Sequence, residues 1–356
     1  MDEIALLQRL DDDVADVDAA TRQAARAALR AHIASAGDLP QAHSRARTRV
    51  GSRWSMRPAT VAATVAAVVA LVVAGLVIPG RVDRPAHAAT PPLLLPIDER
   101  GVAARPLLER LATLAERQPP LSDGRYRYHR TASWYLHTTV YDADTANSIV
   151  VPAVTESWIA PDGSGVVSEA QGEPVDARPP GPDTDRRAVD ELPDGDAEIT
   201  TFEAGDLYYP PTSSLPRDPD ALRRVLLAHD DGEVPEHVIL FVALQELVAQ
   251  QRLEPDLLAT FYRLLAAEPN LRSFGQVTDR AGRDGVVVGF DSDYSGLPAR
   301  YELIVDPATG TPLGSEEILT TDPGKLDVDV PAVIGYAVYL AGGNVDDTQH
   351  RGPRIP

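Results

Sequence analysis

The chain has 356 residues, of which 44% are hydrophobic, and it carries a formal net charge of −20 at pH 7. This apolar content can fill a core, whereas so acidic a surface repels phosphates and argues against nucleic-acid binding. Cysteine is absent, which excludes disulfides and thiolate metal sites.

Residues 1–58 are expected to form a short helical tail on the cytoplasmic side of a membrane. The tail is acidic first and basic afterwards, and Asp18 is a good N-cap for a helix over about residues 19–34. A segment this short cannot build a robust core, so it is either largely disordered or folds on a protein partner. The alternative is a tail whose arginines only set the orientation and bind anionic lipid. The residues expected to contact a cytoplasmic partner are Leu6, Leu7, Leu10, Arg22, Arg26, Leu29, Arg30 and Ile33.

The next segment predicts a transmembrane helix at residues 59–79. Residues 59–78 contain no charge and no proline, and a helix of that length spans about 30 Å, the thickness of the hydrocarbon core. Five arginines lie within residues 45–57, but only Arg81 and Arg84 closely follow the span. The positive-inside rule therefore places the N-terminus in the cytoplasm. A cleaved signal peptide is the alternative, but the apolar run and the segment before it are both too long.

Alanines recur every four residues along this span and form one stripe of small side chains. Such a stripe allows two helices to approach closely, so a homodimer is one expectation. Plain alanine enrichment is the alternative explanation. The stripe consists of Ala62, Ala66, Ala70 and Ala74.

Residues 80–100 are rich in Pro and Ala and are expected to be a spacer between the membrane and an outer domain. Residues 101–345 predict an extracytoplasmic α+β domain, in which an antiparallel sheet packs on helices. The pattern predicts helices over residues 102–117, 219–229, 235–251 and 255–267. It predicts strands over residues 124–140, 154–159, 165–168, 274–279, 285–290, 300–305, 313–319 and 333–340. Residues 171–197 are expected to be a long loop.

One segment has the spacing of a calcium-binding loop. Residues 291–296 read DSDYSG, and Glu302 stands at the twelfth position, as in an EF-hand. The flanking segments read as strands and not as helices, so a plain acidic loop is the favoured interpretation. No other motif indicates a metal, a cofactor or catalysis, and we expect none of the three.

The sequence resembles a family of uncharacterised actinobacterial membrane proteins whose genes often lie beside those for extracytoplasmic-function sigma factors. The resemblance is carried at the start by MDEIALLQRLDDDV and ATRQAARAALRAHI. It continues in ELVAQQRLEPDLLATFYRLLAAEPNLRSFGQVTDRAGRDGVVVGF and in YELIVDPATGTPLGSEEIL. The resemblance implies a regulatory, anti-sigma-like membrane protein, with a sigma factor as the cytoplasmic partner, and it implies no catalytic residues.

Together these patterns predict a single-pass membrane regulatory or sensor protein that is not an enzyme. The alternative is an envelope ligand-binding or lipid-carrier-like module. That alternative predicts a deep apolar cavity between the sheet and the helices.

Overall fold

The structure is a computed structural model that describes residues 90–140, 146–172, 197–205, 212–228, 232–326 and 328–356. The tail, the predicted span and the alanine stripe lie outside these residues. In the part of the chain that is described, no helix has the length and apolar character needed to cross a membrane.

The described residues form four α-helices and ten β-strands. The helices are α1 (Arg105–Glu116), α2 (Pro219–Leu226), α3 (Glu236–Gln250) and α4 (Pro255–Ala266). The strands are β1 (Val102–Ala103), β2 (Tyr126–Val140), β3 (Ala146–Ile159), β4 (Gly165–Gln171), β5 (Glu198–Phe202), β6 (Arg272–Thr278), β7 (Asp284–Ser292), β8 (Ala299–Val305), β9 (Pro312–Leu319) and β10 (Ala332–Val345).

All ten strands belong to one sheet in the order β1-β6-β7-β8-β9-β10-β2-β3-β4-β5, and the neighbouring strands are antiparallel. The last strand, β10, lies between β9 and β2. It therefore joins the meander β6–β9 to the strands that precede the helices in the sequence. The predicted α+β class with an antiparallel sheet on helices is confirmed for the described residues.

The helices form and pack for reasons visible in the sequence. Asp218 accepts a hydrogen bond from the backbone N–H of Ala221 and caps α2, while α4 carries its proline in the first turn, where no N–H is needed. Phe241 of α3 lies edge-to-face with Phe290 of β7, with 5.2 Å between the ring centroids. Because both rings are almost fully buried, this contact fixes α3 against one face of the sheet.

Several predicted boundaries differ from the observed ones. The first helix begins at Arg105 and not at residue 102, because Val102 and Ala103 pair with β6 as an edge strand. Strand β3 begins at Ala146, eight residues before the predicted start. Strand β5 begins at Glu198, directly after the predicted loop of residues 171–197, and it was not predicted. The predicted turn at residues 306–310 is observed between β8 and β9, where Gly310 has a φ of 77° that suits glycine.

Candidate functional site

The eight residues expected to bind a cytoplasmic partner lie outside the described residues, so the structure does not place them. In the described part, charged and aromatic side chains concentrate at two places on opposite faces of the meander. Alternate residues of a strand point to opposite faces, so the pairing register assigns each side chain to a face. One face is covered by residues 90–100, which we call the strap, and the other by α3 and α4.

The strap was expected to be part of a spacer, yet its apolar side chains pack on the domain core. Leu93, Leu94, Leu95 and Ile97 are partly buried against that core. The strap lies directly before β1, and Ala104 continues the contact by donating its N–H to the carbonyl of Leu271. A segment bound in this way adds to the fold instead of acting as a free tether.

A buried ion pair binds the start of the strap. Arg280 and Glu316 each expose 1% of their side chains, and Nε and Nη2 of Arg280 donate to the two carboxylate oxygens at 2.7 and 3.0 Å. The same Nη2 donates to the carbonyl of Pro92 at 3.1 Å. The guanidinium also lies 4.4 Å from the ring centroid of Tyr336, which is a cation–π contact. Arg280 thus connects the strap to the middle of the sheet.

A second buried arginine binds the end of the strap. Nη2 of Arg300 donates to the carbonyls of Ile97 and Glu99 at 3.0 and 3.1 Å, and Nε donates to Asp291 at 2.7 Å. Its guanidinium lies 4.0 Å from the ring centroid of Phe274. Hydrogen bonds from a charged donor are worth about 1.5–3 kcal/mol each. The two arginines therefore give the strap a strong attachment through its backbone.

Glu302 lies two residues after Arg300 on the same strand face, and it is paired with Glu316 of β9. Only 1% of the residue is exposed, and its Oε1 has no hydrogen-bond partner among the described residues. Burial, together with the nearby Glu316 carboxylate, raises the pKa of Glu302 to about 8. The carboxyl is therefore largely protonated at neutral pH beneath the strap.

The structure also places the first and the last residue of the calcium-like spacing, Asp291 and Glu302. Asp291 and Glu302 both lie on strands, and Asp291 accepts from Arg300. Within the described ranges, no group of three or more His, Asp or Glu side chains is arranged to hold a metal ion.

The opposite face carries a row of side chains that crosses five strands. The pairing register connects Phe290 to Tyr301, Tyr301 to Glu317, Glu317 to Gly335, and Gly335 to Tyr135. Phe290 and Tyr301 are stacked at 5.2 Å. We call this set the cross-strand row. Its Phe290 end lies under α3, and at its other end Tyr135 keeps 41% of its surface exposed.

Two further residues extend the cross-strand row toward α3 and the turn after β7. Tyr294 lies 4.9 Å from Tyr301 between ring centroids, and Glu246 of α3 lies close enough to influence the pKa of Tyr294. Burial raises the pKa of both Glu246 and Glu317. Burial and the Glu317 charge also raise the pKa of Tyr294 to about 12. The pKa shifts have the direction expected for acids held in a poorly hydrated, anionic setting.

The interface between the helices and the sheet is filled by side chains. The cavity between α3, α4 and the sheet, which His129 and Gln251 help to line, has a volume of about 30 Å³, enough for one or two water molecules. Its surroundings include Leu258 and Tyr339, both buried. In this part of the described structure, the deep apolar cavity predicted by the lipid-carrier alternative is not present.

An open polar cleft of about 550 Å³ lies beside the strap, lined in part by Asp98, Arg272 and Asp293. Two of its other ionisable side chains serve the fold. Arg300 binds the strap, and His237 packs edge-on against Phe290 at 5.3 Å. We therefore interpret the cleft as a groove between the strap, α3 and the sheet.

Sequence reasoning singled out Asp291 and Glu302 only as part of a calcium-like loop, and it missed the other residues of both faces. A usable signal was present for the strap side, because Arg300 and Glu302 stand two apart in the otherwise apolar strand ARYELIV and must point to the same face. The neighbouring ion pair of Arg280 and Glu316 joins a turn to another strand. Only the tertiary structure identifies that pair.

Comparisons with known proteins give little further guidance. No protein-family model and no curated protein matches the chain. Two solved structures are similar to it: the MucA/MucB complex of Pseudomonas aeruginosa, at 13% identity and a TM-score of 0.21, and MucB in complex with MucA(peri), at 11% and 0.23. The alignments cover 70% and 71% of this chain and only 60% and 62% of those chains. TM-scores and identities this low establish neither a common fold nor a family, and the resemblance to the actinobacterial membrane proteins stays a prediction.

Proposed function

We propose that this protein is a membrane-anchored regulatory protein without catalytic activity, whose outer domain communicates with a cytoplasmic protein through a single membrane span. In this proposal residues 1–58 bind the cytoplasmic partner, for which a sigma factor is the first candidate, and residues 59–79 cross the membrane. The outer α+β domain receives the signal.

The observation that supports this proposal best is the attachment of the strap. The strap begins about ten residues after the predicted span, and its carbonyl groups accept hydrogen bonds from the buried Arg280 and Arg300. A flexible spacer would let the domain move independently of the membrane segment. A strap bound across the sheet instead transmits a change in the domain to the chain that enters the membrane.

The predicted topology can be tested by cysteine labelling, because the chain has no cysteine of its own. Single cysteines are introduced at Ser35 in the tail and at the exposed Asp123 in the outer domain. In intact cells, a maleimide that cannot cross membranes should label only the cysteine at position 123, and permeabilised cells should label both. Labelling of position 35 in intact cells, or recovery of the chain in the soluble fraction, would refute the anchored topology.

The partner can be tested by purifying the full-length chain from host membranes and identifying what co-purifies. We expect a sigma factor to co-purify with the wild-type chain and to be lost when Leu6, Leu7 and Leu10 are changed to Ser. The control changes the exposed Ile199 and Val225 of the outer domain to Ser, which leaves the tail and the domain core intact. Recovery of no sigma factor with the wild-type chain would remove the sigma-factor version of the proposal.

A further inference from the structure

We propose that the strap is a proton-controlled latch, which stays closed over the sheet while the Glu302 carboxyl keeps its proton and opens when that carboxyl releases its proton to solvent. Opening means that residues 90–100 leave the sheet while the strands and helices stay folded. The latch lies wholly within the outer domain and requires no cytoplasmic partner.

The strap is attached to the domain through side chains. Among the described residues, no backbone–backbone hydrogen bond connects residues 90–100 to another part of the chain. The strap is held by arginine side chains on its carbonyl groups and by its own apolar side chains, which are only partly buried. A segment with few buried contacts opens locally before the rest of a domain unfolds. Gly101 follows the strap with a φ of 63°, and the wide range of backbone angles open to glycine allows it to act as the hinge.

The closed strap covers Glu302, of which only 1% is exposed. Arg280 holds the start of the strap and is paired with Glu316, the residue opposite Glu302. Arg300 holds the end of the strap and lies two residues from Glu302 on the same strand face. Such neighbours are separated by about 5 Å across strands and about 7 Å along a strand. The middle of the strap, residues 93–96, therefore passes over Glu302.

The charges around Glu302 make a carboxylate unfavourable at this position. Four charged side chains, from β7, β8, β9 and the turn between β6 and β7, influence its titration: Asp291, Arg300, Glu316 and Arg280. These four already form two ion pairs, so a fifth charge on Glu302 has no counter-ion among the described residues. From α3, Gln245 donates to the backbone carbonyl of Glu302 and leaves its carboxyl unpaired. The charged residues of the strap, 98–100, are exposed.

The sign of the pH effect follows from the pKa of Glu302 in the two states. In the closed state, burial and the Glu316 carboxylate raise this pKa from 4.5 to about 8. In the open state water reaches the carboxyl, and the pKa returns toward 4.5. Between these two values the open state loses the proton that the closed state keeps. The equilibrium constant for opening therefore rises by up to about tenfold per pH unit, and it levels off above about pH 8.

Opening lengthens the free chain in front of the sheet. The eleven residues 90–100 extend to at most about 36 Å at about 3.3 Å per residue. If the chain crosses the membrane as proposed above, the open latch turns a fixed attachment into a flexible one, and the proton concentration outside the membrane becomes the signal. This last step alone rests on the proposed function.

The test measures how often the strap opens at each pH. A single cysteine replaces Leu94 in the full-length chain, which has no other cysteine and is kept in non-ionic detergent micelles. A bulky fluorescent maleimide at low concentration labels this cysteine when the strap leaves the sheet. Dividing the labelling rate by that of the urea-unfolded chain at the same pH removes the effect of pH on the thiol. From pH 6 to pH 8 this ratio should rise by roughly 30–50-fold, and a rise below about threefold would overturn the proposal.

Variants assign the effect to Glu302. In the chain with the strap cysteine, Glu302→Gln should hold the ratio within about threefold over the same pH range. The matched control is Glu109→Gln, which removes the same charge from an exposed position on α1 and should keep the full rise. A rise in Glu302→Gln as large as in the parent chain would refute the latch. If Glu302→Gln does not fold, as judged by circular dichroism, Glu302→Met decides the question.

A second cysteine separates local opening from unfolding of the whole domain. Val248→Cys places the thiol at a buried position of α3, on the opposite side of the sheet, where only opening of the core exposes it. Its labelling ratio at pH 8 should be at least about a hundredfold lower than that of the strap cysteine. Equal ratios would show that the strap opens only when the whole domain unfolds, and the latch would be refuted.

Failure of the latch and failure of the proposed function can be told apart. A chain whose strap opens with rising pH but which is recovered in the soluble fraction retains the latch and loses the anchored topology. A membrane-anchored chain whose strap does not respond to pH does the reverse.

Discussion

Replacing Glu302 by glutamine should remove a large part of the pH dependence of the outer domain's stability. Glu302 is buried beneath the strap, its Oε1 has no hydrogen-bond partner among the described residues, and its pKa is raised from 4.5 to about 8. Below about pH 4.5 the carboxyl is protonated in both the folded and the unfolded chain. Between pH 4.5 and about 8 the unfolded chain loses this proton and the folded chain keeps it, so stability falls as the pH rises.

The size of the effect follows from the width of this pH window. One pH unit inside it changes the free energy of unfolding by about 1.4 kcal/mol. From pH 5 to pH 8, three pH units, the contribution of Glu302 is therefore at most about 4 kcal/mol. Other groups titrate in the same range, including His129, whose pKa burial lowers to about 4. Their contributions cancel when the variant is compared with the wild-type chain at each pH.

The assay is urea unfolding of the full-length chain in non-ionic micelles, followed by the fluorescence of Trp134 and Trp158. Between pH 5 and pH 8 the free energy of unfolding of the wild-type chain should fall by up to about 4 kcal/mol more than that of Glu302→Gln. Glu302→Met, which has no amide to satisfy, serves as a second variant, and Glu109→Gln is the control at an exposed site. Parallel pH profiles for the wild-type chain and both Glu302 variants would refute the burial argument.

Three further substitutions test the packing on both faces of the sheet. Arg300→Met should lower the free energy of unfolding by roughly 3 kcal/mol, as expected for breaking a buried charged network. It should also increase hydrogen exchange in residues 93–100, and unchanged exchange there would contradict the attachment of the strap. Phe290→Ala should lower the free energy of unfolding in urea by about 3–5 kcal/mol, because the ring is fully buried between α3 and β8. A decrease below about 1 kcal/mol would show that the packing of α3 does not depend on this contact. Gly335→Ala should displace the Tyr135 ring, lower the free energy of unfolding by under about 1.5 kcal/mol and shift the Tyr135 ring resonances in NMR spectra. Unshifted resonances would contradict the close approach of the Tyr135 ring to the backbone at position 335.

The class and much of the order of elements could be predicted from the sequence because those signals are local. Prolines mark the start of α2 and α4, and the residues 306–310 between two apolar runs indicate a hairpin. The length of β3 was harder to predict. Its first eight residues include Asn147, Ser148 and Pro152, and Asn and Pro are depleted in strands, so the pattern did not predict them as extended.

The sequence alone therefore determined the acidic surface, the lack of disulfides, the predicted span and the α+β class, because composition and short-range periodicity encode them. The tertiary structure decided which charged residues are functional candidates. Arg280 finds Glu316, and Glu317 finds Tyr135 across Gly335, only after distant strands are paired. Such pairs depend on register between strands that are far apart in sequence, and a one-residue shift would send each side chain to the other face.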